Sequence, residues 1–330
     1  MPVNETLSTY SNWTYGAAVG VYVLAMVFYL VEQALTRTKT KAKAEAKVLV
    51  GAGGPETVGP ETVGNERDVA SLEGQQRDVA FQTSRADRIG RMAVSLTVLG
   101  ALLHLTSLAL RGFAAHRVPW GNMYEFGALL TFVAVATWLV LIRKFPVRHL
   151  GGFVLLPIAL LMFIGGTLLY TTAAPVQPAL RSYWLVIHVF TVASSSGALL
   201  VAGVASVLYL IKINDGRFAG LAARLPSADT LDRLAYRVTI VAFPAYTLAV
   251  IFGAIWAEAA WGRFWGWDPK ETCALVAWVV YAAYLHSRAT AGWRGSRAAS
   301  INVLAFAVMI FNLFFINLVI SGLHSYAGLS

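Results

Sequence analysis

"INVLAFAVMIFNLFFINLVIS", residues 301–321, contains no charged side chain. At about 1.5 Å per helical residue, a stretch of this length crosses the roughly 30 Å hydrocarbon core of a bilayer. A soluble helix keeps one polar face, and this one has none. Comparable stretches run near 14–35, 92–110, 124–142, 150–170, 184–211, 238–257 and 271–287. Together they predict an all-α, polytopic integral membrane protein with eight transmembrane helices. The composition agrees, with 57% of residues hydrophobic and 13% charged, far from the balance of a soluble domain. No short apolar segment with a small-residue cleavage site precedes the first stretch. Trp13 and Tyr15 at its start read as interface anchors, so the first helix is expected to be retained.

Basic residues set the orientation. If the N-terminus is outside, 21 of the 26 Lys and Arg fall in inner connections, and only Arg111, Arg117, Arg181, Arg263 and Lys270 face outward. The positive-inside bias therefore predicts both termini on the outer face. The net charge of +9 then follows from topology and anionic inner-leaflet lipid, and nucleic acid is not an expected partner. A plasma membrane is the expected location, with a thylakoid membrane left open.

The chain divides into a first transmembrane helix (1–35), an inner linker (36–91) and a seven-helix core (92–330). The linker opens with the Lys/Ala-rich "TRTKTKAKAEAK" and continues through "PETVGPETVG" and two copies of "RDVA". Low complexity and few aromatics mark it as flexible and without catalytic role. A single cysteine, Cys273, excludes a CxxC redox pair within the chain.

Functional content concentrates at the outer ends of the core. Residues 261–273 read "WGRFWGWDPKETC". Asp268 suits an N-cap, Pro269 the first helical turn, and Glu271 the far side of a capping box. The cap leaves the tryptophans unexplained. Aromatic belts place Trp at interfaces, but they do not call for Trp256, Trp261, Trp265 and Trp267 within twelve residues beside Gly262 and Gly266. A large flat ligand would use both the indole faces and the close backbone approach that glycine permits.

Six histidines are candidates for that ligand. His149 lies in a basic inner loop and His116 in an outer loop, where solvated roles are ordinary. His104 and His286 lie inside apolar stretches, where an ionisable group is costly and usually functional. The alternatives are an interhelical hydrogen bond or, for His286, snorkelling to the surface. His188 and His324 fall on the tryptophan side and could serve as two axial imidazoles, since imidazole suits iron.

With these residues assembled, the chain resembles a known family. "WGRFWGWDPKE" is similar to the tryptophan-rich WWD signature of haem-handling proteins in cytochrome c maturation, and the flanking His188 and His324 resemble their outer histidine pair. Eight helices ending soon after the second histidine are similar to the CcsA or ResC type of system II, called CcsB in actinobacteria. The resemblance covers roughly residues 90–330.

It implies that haem b is held at the outer face by His188 and His324, with Trp261, Trp265, Trp267 and Asp268 shaping the surface of an outer segment (256–271). His104 and His286 would ligate a second haem within the membrane. It further implies a ResB-type membrane partner and an apocytochrome c whose CxxCH thiols receive the haem, with thioredoxin-like proteins acting indirectly to keep them reduced. The chain would then be a subunit of a holocytochrome c synthetase, with no catalytic residue of its own assigned. The outer segment "HRVPWGNMYEF" (116–126) also resembles the family, whereas Cys273 stands where an aromatic residue is expected.

Helical rise places His286 and His104 at depths differing by roughly 10 Å, more than a shared iron allows without tilt. The rival reading is a secondary transporter with His104 and His286 as a proton relay. It calls for an internal repeat and paired broken helices, and the sequence offers neither. A purely structural assembly subunit would leave the outer histidines without purpose.

Overall fold

The computed structural model describes the backbone of residues 2–51, 66–175, 181–290, 292–320 and 322–324, with side chains throughout except at 37–51, 66–84, 215 and 217. Among the described residues the elements are all helical: α1 (Glu5–Gly51), α2 (Glu66–Ala115), α3 (Met123–Lys144), a 3-10 turn (Arg148–Leu150), α4 (Gly151–Thr167), α5 (Tyr183–Ile213), α6 (Asp215–Ala222), α7 (Ala228–Trp261), α8 (Pro269–Ala289) and α9 (Ser296–Val319).

Among the described residues seven helical stretches are long and apolar enough to cross a membrane: Glu5–Thr36, Arg85–Ala115, Met123–Lys144, Arg148–Thr167, Tyr183–Ile213, Ala228–Trp261 and Ser296–Val319. The chain is a multi-pass, all-helical membrane protein. The eighth expected stretch, 271–287, forms α8, which is less apolar than the others. Lys270, Glu271, His286 and Arg288 crowd its ends, and Trp278, Tyr281 and Tyr284 dilute its middle. It still runs the depth of the bundle, tied to the end of α9 by Lys270–Asn317 and to the start of α7 by Arg288–Asp232.

Helices α1 and α2 extend into the segment expected to be a flexible linker, up to Gly51 and from Glu66. Ala, Lys, Glu and Gln, all strong helix formers, dominate those flanks. Residues 52–65 lie outside the described residues.

Packing explains why α1 belongs to the bundle. Tyr15, Ala18, Tyr22, Ala25 and Tyr29 recur at three- and four-residue spacing, and all are buried, forming one stripe of alternating large and small side chains. The rings sit where other helices carry no side chain. A Cβ on Gly100 of α2 would come within 2.6 Å of the Tyr22 ring, and one on Gly151 of α4 within 2.5 Å of Tyr29. In lipid, where apolar surface gains little by meeting apolar surface, such close fit drives helix association. Leu24, Leu102, Leu156, Phe163 and Val241 point outward, as lipid-facing residues should.

Helices α1, α2 and α4 pack as one group and α5, α7, α8 and α9 as another, joined by α3 against α5. One end of the bundle collects the start of α1 beside the end of α2 (Asn4 N–H to Ala114 O, 3.0 Å) and the chain after α4 (Asn12 Nδ2 to Tyr170 OH, 2.8 Å). The tryptophan segment and His324 lie at the matching ends of α7, α8 and α9.

Candidate functional site

The capping box expected at 268–271 is formed. The Asp268 carboxylate accepts from Lys270 N–H at 3.2 Å, and Glu271 reaches back to Asp268 N–H at 3.2 Å. Glu271 also accepts from Gly266 N–H (2.8 Å) and Arg263 (3.2 Å), so it folds the tryptophan loop onto the start of α8. Gly262 ends α7 in the left-handed conformation at φ 71°, a C-terminal cap that glycine adopts without penalty.

Asp268 does more than cap. Its second duty is to hold the end of the chain that follows α9, accepting from Leu323 N–H at 2.9 Å and from His324 Nδ1 at 2.9 Å. The His324 bond, foremost among its contacts, lowers the carboxyl pKa to about 2. Burial lowers the His324 pKa against the pull of that carboxylate. The pair is therefore a neutral imidazole donating from Nδ1 to a carboxylate, which puts the lone pair on Nε2.

His188 is fixed in the same way by a different partner. Its Nδ1 lies 2.9 Å from the Ala249 carbonyl of α7. A carbonyl only accepts, so Nδ1 carries the proton and Nε2 the lone pair. The ring stacks on Trp256 at 6.0 Å and 11°. It fits against α7 because residue 253 is glycine, where a Cβ would lie 2.7 Å from the imidazole.

Both histidines line one mostly apolar cavity that opens to the surface. Trp120, Trp256, Trp261 and Trp265 wall it. Trp256, 1% exposed, is the common neighbour: its ring lies 5.9 Å from His324 and 4.8 Å from Trp261, and Trp261 in turn meets His324 at 5.2 Å.

Trp267 does not line this cavity. It stands 69% exposed, edge-on to Trp265 at 5.8 Å, with a left-handed backbone at φ 58°. That conformation costs a non-glycine residue roughly 1 kcal/mol or more. The left-handed turn presents the indole to the outside.

The segment 116–126 forms the opposite wall. Glu125, 1% exposed, accepts from Arg111 (2.9 Å), Arg117 (2.7 and 3.0 Å) and Gly121 N–H (2.8 Å). Arg111 and Arg117 also donate to the carbonyls of Thr171 and Ala174. This buried clamp fixes the loop so that Trp120, Gly121 and Asn122 face the cavity.

The structure does not bring His104 and His286 together. His104 is sealed between α1, α2 and α3, 0% exposed, with Tyr15, Tyr22 and Phe132 edge-on at 5.7 to 6.0 Å. Its Nδ1 is 3.5 Å from the Tyr22 hydroxyl. His286 is exposed near the far end of α8, in the other helix group.

The sequence reading passes over Lys270, Asn312 and Asn317, which also line the cavity, and counts Trp256 in the tryptophan cluster without assigning it to the ligand. A basic side chain directly after Asp-Pro in an apolar context was the available signal. Cys273 donates a weak hydrogen bond from its thiol to the Val308 carbonyl of α9 at 3.9 Å.

Among the described residues no three His, Cys, Asp or Glu side chains gather to hold a bare metal ion. Two imidazole Nε2 lone pairs in one tryptophan-walled cavity instead suit a metal that brings further ligands with it. The model of the cytochrome c assembly protein family matches residues 120–324, the stretch that builds this site. The chain belongs to that family, in its CcsA-type, system II branch.

Among its relatives, the cytochrome c biogenesis protein CcsA of Guillardia theta is 35% identical over 256 residues, covering 71% of this chain and 85% of that one. CcsA of Parasynechococcus marenigrum (strain WH8102) is 35% identical over 259 residues, covering 70% and 85%. A solved structure of the cytochrome c haem lyase CcmF shares the fold, with a TM-score of 0.61 over 95% of this chain at 15% identity. The chain spans about half of that lyase (47%). This family assignment places the chain in cytochrome c biogenesis.

Proposed function

We propose that this CcsA-type chain binds haem b in the outer cavity through His188 and His324 and presents it there for covalent attachment to the CxxCH thiols of an apocytochrome c, as a subunit of a holocytochrome c synthetase. One observation carries the reading: two imidazoles from distant parts of the chain, each with Nδ1 tied to an acceptor, share a tryptophan-walled cavity.

The residues divide the work. His188 and His324 would hold the haem iron, whose redox chemistry the two imidazoles would tune. Trp120, Trp256, Trp261 and Trp265 cover the macrocycle and exclude water. Trp267 and Phe264, exposed beside the mouth, meet the acceptor. The thiols that add across the haem vinyl groups are the substrate's, so this chain holds and orients. A ResB-type protein is the proposed membrane partner, with thioredoxin-like proteins keeping the acceptor thiols reduced.

The proposal has eight spans, α8 included, both termini outside, and a core of 92–330 in the plasma membrane. A cysteine at Ser71 is then expected to label only after permeabilisation, and labelling in intact cells would reverse the topology. An inner haem station belongs to the same proposal. His286 is exposed and would take an iron with His104 only if α1, α2 and α3 separate around the latter.

The test is purification of wild type, His188→Ala and His324→Ala with the ResB-type partner. Wild type is expected to carry a low-spin haem spectrum and to mature cytochrome c. The variants should lose both, with partial rescue by added imidazole. Full haem content and maturation in both variants would refute the outer site.

A further inference from the structure

Lys270 is the cation of the cavity. It occupies the first turn of α8, and its ammonium donates to Asn317 Oδ1 at 2.7 Å and to the Asn312 carbonyl at 3.4 Å. Asn317 is itself fixed, donating from Nδ2 to the Leu313 carbonyl at 2.9 Å. A lysine on a flexible stem would ordinarily swing toward water. This one is tethered to α9 and kept on the cavity wall.

No carboxylate among the described residues lies within ion-pair distance of the ammonium. Both acidic neighbours are committed elsewhere, Asp268 to His324, Leu323 N–H and its own helix, and Glu271 to Arg263, Gly266 and the cap. A charge facing a mostly apolar cavity without a counter-ion is unfavourable, and an incoming anion relieves it.

A second observation points to the same spot. Asn312, 5% exposed, lines the cavity with its side-chain Oδ1 buried and without a partner among the described residues. Oxygen and nitrogen of an amide exchange by a half-turn, so Asn312 can offer an N–H beside the ammonium. The two make a cation and a neutral donor, the complement of a carboxylate.

Resting on the haem reading above, we propose that Lys270, held by Asn317 and assisted by Asn312, is the subsite for a haem propionate. It would set which edge of the macrocycle turns inward and which vinyl edge faces the acceptor. Histidines alone fix the iron but leave rotation about their axis open, and one anchored carboxylate removes that freedom.

The experiment titrates purified protein with haem b and with its dimethyl ester, followed by visible absorbance. Wild type is expected to bind haem b about tenfold or more tightly than the ester, the scale of one charge-assisted hydrogen bond. Lys270→Met should bind both alike while keeping the bis-histidine spectrum, and Lys270→Arg should retain the preference. Asn317→Asp, which gives the ammonium a carboxylate of its own, should weaken haem b and spare the ester. That variant also serves if Lys270→Met fails to insert. Equal affinities in wild type, or an undiminished preference in both Lys270→Met and Asn317→Asp, would overturn the subsite. A wild type with no bis-histidine spectrum for either porphyrin would overturn the haem reading itself, and the subsite with it.

Discussion

His324 and His104 are both histidines in apolar surroundings, and they differ in what stands around the ring. His104 is closed in by three aromatic edges on α1 and α3, its Nδ1 3.5 Å from a tyrosine hydroxyl. His324 gives Nδ1 to a carboxylate at 2.9 Å and lines a cavity. Burial makes an ionisable side chain noticeable in a sequence. Ligation asks for two further things, a partner that fixes one nitrogen and space before the other.

The comparison breaks most visibly if the wrong histidine matters. His188→Ala and His324→Ala are each expected to cut bound haem at least about tenfold, the lower end of what even outer partners of metal ligands are worth. His104→Ala should keep its haem and instead lower thermal stability by roughly 2 kcal/mol or more, through the void left among tight aromatic neighbours. A His104→Ala protein emptied of haem as thoroughly as the outer variants would end the distinction.

A finer test separates the two duties of Asp268. Asp268→Asn keeps an acceptor for the cap and for His324, and is expected to lose little haem. Asp268→Ala removes both, and should weaken haem binding about tenfold while costing about 1 kcal/mol through the cap. Equal haem affinities for the two variants would reduce Asp268 to a helix cap.

The tryptophans divide similarly. Trp265→Ala, on the cavity wall, should retain less haem after purification. Trp267→Gly should retain it, gain about 1 kcal/mol from release of the left-handed strain, and mature less cytochrome c. Normal maturation by Trp267→Gly would remove the indole from the contact surface. The smallest effect is expected for Glu271→Ala, about 1 kcal/mol of local stability with haem retained, read by hydrogen exchange at the start of α8.

Much of this molecule was legible in the sequence for physical reasons. Seven long apolar stretches announce themselves by length, and the "DPKE" cap by local rules that need no tertiary knowledge. The cavity was legible only as a coincidence of Trp and His on one side. What sequence could not show is the third dimension of the site. The Ala249 carbonyl, the gap at Gly253 and the tether of Lys270 to Asn317 join residues as far apart in the chain as His188 and Gly253. Helix α8 reads as a span by its length and uncharged interior, and its ends carry the groups that tie it to α7 and α9. The 36–91 segment misled because repeats and charge suggest a linker, whereas its Ala-, Lys- and Glu-rich flanks favour helix.

The tyrosine stripe on α1 also works as a vernier. Its large teeth recur every seven residues at Tyr15, Tyr22 and Tyr29, and all three mesh with glycines on two different helices, Tyr22 with Gly100 of α2, Tyr29 with Gly151 of α4 and Tyr15 with Gly165 of α4. A slide of one turn, about 5.4 Å, would carry every ring off its notch and press it against a neighbour with a side chain. Depth in the bilayer is otherwise a soft coordinate, since lipid resists such a slide only weakly. Here the height of α1 against α2 and α4 is indexed by matched shapes, alongside the Glu32–Arg148 ion pair and the Ser11 and Tyr15 hydrogen bonds.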